Sequence, residues 1–178
     1  MNRTQRPSTA PGAAVQRPPL YTPEQRVRRD QSVWTLVQGV LAPVQFFVFI
    51  ASAVLVLRFL ATDEGLFAAS ISVVAKTLVL YTIMVTGAIW EKVVFGQYLF
   101  APAFFWEDVF SFLVLALHTA YLVALFTGAL SPREQMLLAL VAYATYVINA
   151  AQFIWKLRLA RLDDAARRAA APMHGVAA

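Results

Sequence analysis

"WEKVVFGQYLFAPAFFWEDVF", residues Trp90–Phe110, joins two long apolar segments through an aromatic loop with acids at both of its edges. Glu91 and Lys92 close the segment before it, Glu107 and Asp108 open the one after it, and Gly96 and Pro102 bend the chain between them. Read as helix end, loop and helix start, this stretch divides the sequence into four spans: Val33–Leu60, Leu66–Trp90, Trp106–Phe126 and Glu134–Trp155. Each reaches the roughly 20 apolar residues that a helix needs to cross a hydrocarbon core. Short connections fit between the outer pairs. "ATDEG" (61–65) is an acidic turn, and "TGALSPRE" (127–134) sets a helix-stopping Gly128 before a helix-starting Ser131-Pro132. The expected fold is all-α: a polytopic membrane protein of four antiparallel helices.

Composition agrees with that reading. The chain is 60% hydrophobic and only 14% charged over 178 residues, a balance foreign to soluble domains of this size. It has no cysteine, which removes disulfides, thiolate metal sites and cysteine nucleophiles. The first 30 residues lack the apolar core and small-residue cleavage site of a signal peptide, so the first span is expected to insert and stay. Residues 1–23, with five of the nine prolines, read as a disordered tail; 24–161 read as one helical membrane domain and 162–178 as a flexible Ala/Arg-rich tail. No internal repeat is visible.

The cations set an orientation. Arg3, Arg6, Arg17, Arg26, Arg28, Arg29, Lys92, Lys156, Arg158, Arg161, Arg167 and Arg168 fall on one side of a four-span chain, and Arg58 and Arg133 on the other. The positive-inside rule then puts both termini and the Trp90–Trp106 loop in the cytoplasm. Trp34, Trp90, Trp106 and Trp155 mark the same end, as an interfacial belt would. The net charge of +5 therefore reads as orientation and contact with anionic lipid, not as a nucleic-acid surface.

Polar residues inside the spans carry the functional information, since an ionisable group at the bilayer centre costs about 2.5–3.5 kcal/mol on insertion scales. Lys76 lies deep in the second span and His118 in the third. Glu107 and His118 project from nearly the same helical face, about 16 Å apart, and Asp108 points roughly 80° away. On the fourth span Thr145, Asn149, Gln152 and Lys156 form a polar stripe; Gln38 and Gln45 do so on the first. These groups converge on one mouth, rimmed by Phe95, Tyr98, Phe100, Phe104, Phe105 and Trp106. Each also has a plain structural reading: dipole-favoured acids at a helix start, a core histidine, interhelical hydrogen bonds. No phosphate loop, dinucleotide fingerprint, metal-spaced histidines or Ser–His–Asp order is present. Acid–base catalysis on a flat amphiphile, or binding without chemistry, remains.

"RRDQSVWTLVQGVLAPVQF" (Arg28–Phe46), "VAKTLVLYTIMVTGAIWEKVVFGQYLFAPAFFWEDVFSFLVLALHTAYL" (Val74–Leu122) and "AYATYVINAAQF" (Ala142–Phe153) resemble the 3-vinyl bacteriochlorophyllide hydratases of bacteriochlorophyll biosynthesis. The resemblance runs from about Tyr21 to Arg161. It implies addition of water to the C3 vinyl group of chlorophyllide a or 3-vinyl bacteriochlorophyllide a, giving the 3-(1-hydroxyethyl) product. Glu107, Asp108 and Glu91 are then the expected catalytic acids and bases. His118, Lys76, Asn149, Gln152, Phe104, Phe105 and Trp106 are the expected substrate contacts, with His118 available to the magnesium that the substrate brings. No cofactor of the enzyme's own is implied. The expected partners are the pigment, water, the lipid bilayer and neighbouring enzymes of the pathway, with no nucleic acid, and the expected location is the bacterial inner, photosynthetic membrane. The alternative is a non-catalytic membrane protein that binds or hands on a tetrapyrrole.

Overall fold

The computed structural model describes residues 20–170. Of the two expected tails, residues 1–19 and 171–178 lie outside that range. The described residues form five helices and no strand: α1 (Pro23–Gln31), α2 (Val33–Thr62), α3 (Leu66–Phe95), α4 (Phe105–Thr127) and α5 (Pro132–Ala170). The last four are long and apolar enough to cross a membrane.

Their ends follow local chemistry. Ser32 caps α2 by accepting from the Trp34 N–H. At its far end Asp63 (φ 56°) and Gly65 (φ 83°) take left-handed backbone and reverse the chain into α3. Gly96 (φ 89°) ends α3 and Gly128 (φ 65°) ends α4 in the same way. Ser131 and Glu134 cap each other ahead of Pro132, which opens α5 with its missing N–H where none is needed.

All four span starts, and the ends of the first and third spans, fall within two residues of the sequence reading, but the other two helices run further. Helix α3 continues past Trp90 to Phe95, so Glu91 is helical; α5 continues past Trp155 to Ala170. Helix α1 was not anticipated, although Thr22, Pro23 and Gln25 form a capping box, with reciprocal bonds of 3.2 and 2.9 Å between Thr22 and Gln25.

α2 packs chiefly on α3, and α4 on α5; the two hairpins then meet where α2 faces α5 and where α3 faces α4 and α5. Inside, the core is layered. Val56, Phe59, Val73, Tyr121, Met136 and Tyr143 fill the end near the 63–65 turn. Leu80, Val114 and Tyr146 fill the middle. At the opposite end Tyr21, Val94 and Phe104 are buried in an aromatic hub with Trp90, Phe95 and Phe153. Phe46, Phe47, Ile50, Val54 and Phe126 instead point outward, which suits a bundle whose solvent is lipid. Helix α1 has no buried residue of its own. It is held by Tyr21 in the hub, by Arg29 stacked on Tyr21 at 4.6 Å and by the Arg26–Asp164 ion pair at 2.7 Å.

Candidate active site

Glu91 sits in the last turn of α3, and Glu107 and Asp108 in the first turn of α4. All three are buried, at 5, 7 and 5% exposure, and the helix ends that carry them are joined by the aromatic loop. Within that loop Phe100 adopts φ 59°, a left-handed conformation that costs a residue with a side chain about 1–2 kcal/mol. That turn aims two consecutive N–H groups inward. Phe100 N–H donates to Asp108 Oδ2 at 2.7 Å and Ala101 N–H to Glu91 Oε2 at 3.2 Å. The ring of Phe100 stacks on Phe112 at 5.5 Å and 12°, which offsets the strain on the outer side.

The two carboxyl groups are thereby held side by side by one turn of backbone. Two buried like charges so placed are costly, and a single proton placed on the pair removes that cost. Glu107 is disposed of differently. Its Oε2 lies 2.5 Å from Lys156 Nζ, whose ammonium also sits 5.1 Å over the Phe104 ring. The arrangement is therefore one acid paired with a lysine, beside two acids held by the backbone of one turn. In such a pair one carboxyl group can give a proton and its neighbour can take one.

The polar stripe of α5 faces this cluster as its spacing requires. Asn149 Nδ2 donates to Ser111 Oγ at 2.8 Å, while Asn149 Oδ1 and Gln152 Oε1 are buried without a partner. Of the expected aromatic contacts, Phe104 is only 2% exposed and belongs to the hub, where it meets Tyr21, Trp90, Phe95 and Phe153. Phe105 and Trp106 are exposed at 44 and 67%. Burial in the hub pushes the Tyr21 phenol above its usual range, against the opposing pull of the Arg29 guanidinium.

His118 and Lys76 lie apart from the acids, in the middle of the bundle. Ten residues of α4 separate Asp108 from His118, a rise of about 15 Å. His118 has no exposed surface; Nδ1 bonds the Val114 carbonyl at 2.8 Å and Nε2 has no partner. The Lys76 ammonium rests on the Tyr146 ring at 4.1 Å and, with the Gln45 amide turned to satisfy its neighbours, donates to Gln45 at 3.3 Å. Tyr143, 5.8 Å from the His118 ring, bonds Ser52. Among the described residues no three His, Cys, Asp or Glu side chains form a metal-ligand set.

The model of the 2-vinyl bacteriochlorophyllide hydratase family matches residues 21–159. The chain belongs to that family. It is 70% identical over 156 residues to the 2-vinyl bacteriochlorophyllide hydratase of Cereibacter sphaeroides, covering 87% of this chain and 95% of that one. It is 71% identical over 150 residues to the protein of the same name from Rhodobacter capsulatus, covering 84 and 87%. No solved structure matches the chain. The hydratase-family match begins at Tyr21, so it includes α1 and its anchor in the hub as well as the four long helices. Ala101 and Ser111 escaped the sequence reading, and the contacts made by Phe100 and Lys156 were not visible in it. Phe100 and Ala101 act through backbone N–H groups, which side-chain patterns do not announce. Ser111 was hidden among apolar neighbours. Lys156 was visible as part of a stripe but had no visible partner.

Proposed function

We propose that this chain is a membrane hydratase that adds water to the vinyl group of a bacteriochlorophyllide precursor, the substrate class named for its relatives. The relatives' 2-vinyl and the 3-vinyl of the resemblance are one substituent under two numberings of the ring. The observation that carries the reading is the Glu91–Asp108 pair, two buried carboxyl groups held by consecutive backbone N–H groups.

In the reaction the pair's proton goes to the terminal vinyl carbon, which becomes a methyl group. The inner carbon is left cationic and conjugated to the macrocycle. Water forms its carbon–oxygen bond there and gives a proton to the carboxylate, so the pair ends as it began. General acid–base groups placed this way contribute about 10²–10⁴-fold each. Glu107, held by Lys156, sets the charge next to Asp108 without entering the proton transfer. Asn149 and Gln152, with unpaired buried oxygens on the neighbouring helix, are suited to hold the attacking water.

The orientation we favour follows the cations: both termini and the aromatic loop on the cytoplasmic side of a bacterial inner membrane. A magnesium held by His118 would require the bundle to open around a fully buried ring. His118 and Lys76 are better assigned to packing. The competing reading, a pigment carrier without chemistry, needs the aromatic surface but not the shared proton. Incubating membranes that contain this chain with chlorophyllide a separates the two: hydratase activity adds the mass of one water and shifts the red absorption band to the blue, and a carrier leaves both unchanged.

A further inference from the structure

Glu91 and Asp108 are buried, yet the substrate is a large flat ring dissolved in lipid. The outer face of α4 offers it a seat. A shallow concavity of about 580 Å³ opens there along α4 and just past its end, from Phe112 to Ala129, lined by Leu115, Ala116, Thr119 and Ala120 among others, within the 300–1,000 Å³ usual for small-molecule sites. Ala116 and Ala120 are exposed at its floor, so the hollow exists because two small side chains stand between larger ones. Thr119, the one polar side chain named in that lining, is already bonded to the Leu115 carbonyl and to Tyr81 on α3, both at 2.8 Å. What the surface presents is apolar.

The helix row that borders the hollow starts at the acids. Phe112, Leu115, Thr119 and Val123 follow Asp108 at i+4, i+7, i+11 and i+15, one row of the helix. Phe112 at its head stacks on Phe100, the residue whose N–H holds Asp108. Phe100 and Phe112 are each 39% exposed, so their rings extend the hollow as an aromatic wall beside the carboxyl pair. His118 lies about 80° to the other side of Asp108, turned into the bundle.

We propose that this outer face of α4 is the bed of the pigment: the macrocycle enters sideways from the lipid, lies on Ala116, Thr119 and Ala120 against Phe112, and brings its vinyl edge to Asp108. This rests on the hydratase reading for the identity of the ligand. It accounts for a site that is closed to water yet open to a membrane-dissolved ring, and it makes Phe112, Ala116 and Ala120 substrate-binding residues that neither residue pattern nor resemblance marked.

The test fills the hollow. Ala116→Leu/Ala120→Leu adds apolar bulk on a face where no helix neighbour is displaced, and Ala68→Leu, exposed on α3, serves as control. With chlorophyllide a as substrate in membranes, the filled variant should raise KM by about tenfold or more and keep kcat within about threefold, as removal of uniform binding requires; the control should match wild type. An unchanged KM overturns the proposal. Should the double variant not accumulate, a benzophenone side chain placed at Ala116 and irradiated with chlorophyllide a should capture pigment, and one placed at Ala68 should not. Capture of lipid or of a second copy of the chain in place of pigment overturns it. Pigment captured at Ala116 by a protein that hydrates nothing would leave the bed standing and remove the hydratase reading. Hydration without capture would do the reverse.

Discussion

Glu91 of α3 and Asp108 of α4 accept hydrogen bonds from adjacent backbone N–H groups, Ala101 at 3.2 Å and Phe100 at 2.7 Å. One strained turn thus fixes two acids from different helices. Asp108→Asn and Glu91→Gln keep shape but break the exchange of a single proton, and each should lower turnover by about 10²–10⁴-fold. Accumulation in the membrane should be unaffected. Turnover within about threefold of wild type in either variant would take that residue out of the mechanism.

Glu107 was the sequence reading's leading acid, and its contact with Lys156 changes what its removal should do. Lys156→Met leaves a carboxylate 7% exposed with no cation, a loss that costs about 3 kcal/mol when a buried pair is broken, less here because Lys156 is partly exposed. Glu107→Gln/Lys156→Met removes both charges and should recover most of that stability and most of the activity. Thermal melts and turnover of the two variants in detergent provide the check. A double variant as damaged as Lys156→Met would mean that the lysine serves the reaction directly.

For the central polar residues the expectation is different. Lys76→Met replaces a fully buried cation that has no carboxylate partner with an apolar chain of similar length, and should leave stability near wild type or above it. His118→Ala opens a cavity and should lower thermal stability, with kcat and KM both within about threefold. A large rise in KM for His118→Ala, with kcat unchanged, would restore its role as ligand to the substrate's magnesium.

The strap formed by α1 is anchored by Tyr21 in the hub as well as by the Arg26–Asp164 ion pair. Tyr21→Ala should lower stability by about 2 kcal/mol from lost apolar burial, and Tyr21→Phe should not. The raised phenol pKa adds a sign. Tyr21 docks in its neutral form, so its contribution is complete below the ordinary tyrosine pKa and is lost as pH rises through the higher folded value. Alkaline titration of tyrosine absorbance, compared with Tyr21→Phe, should show one phenol ionising late. If the phenol missing from Tyr21→Phe is one that ionises in the ordinary tyrosine range, Tyr21 lies outside the hub.

How much of this was legible beforehand depends on the kind of signal. The four spans were, because each is a long apolar run ended by glycine, proline or serine, and such runs have one stable form in lipid. The stripe Asn149, Gln152 and Lys156 was, because polar groups in a span must face protein. Helix α1 was missed although its Thr22–Gln25 capping box stands in the sequence; its proline-rich approach drew attention to the tail instead. The pairing within the site was not legible. Glu107 and Asp108 are adjacent, and which one meets Lys156 and which meets Glu91 depends on the turn at Phe100, a bulky residue in a conformation that sequence assigns to glycine.

The central claim is that Glu91 and Asp108 pass one proton to the vinyl group and take one from water. It is tested most directly by supplying chlorophyllide a, under argon and in ¹⁸O-labelled water, to membranes containing this chain or its Asp108→Asn variant. The account predicts a hydroxyethyl product that carries the label from the wild type, with neither oxygen nor nucleotide required, and formation slowed by about 10²-fold or more in the variant. Unlabelled product, or equal rates from the two proteins, would contradict it.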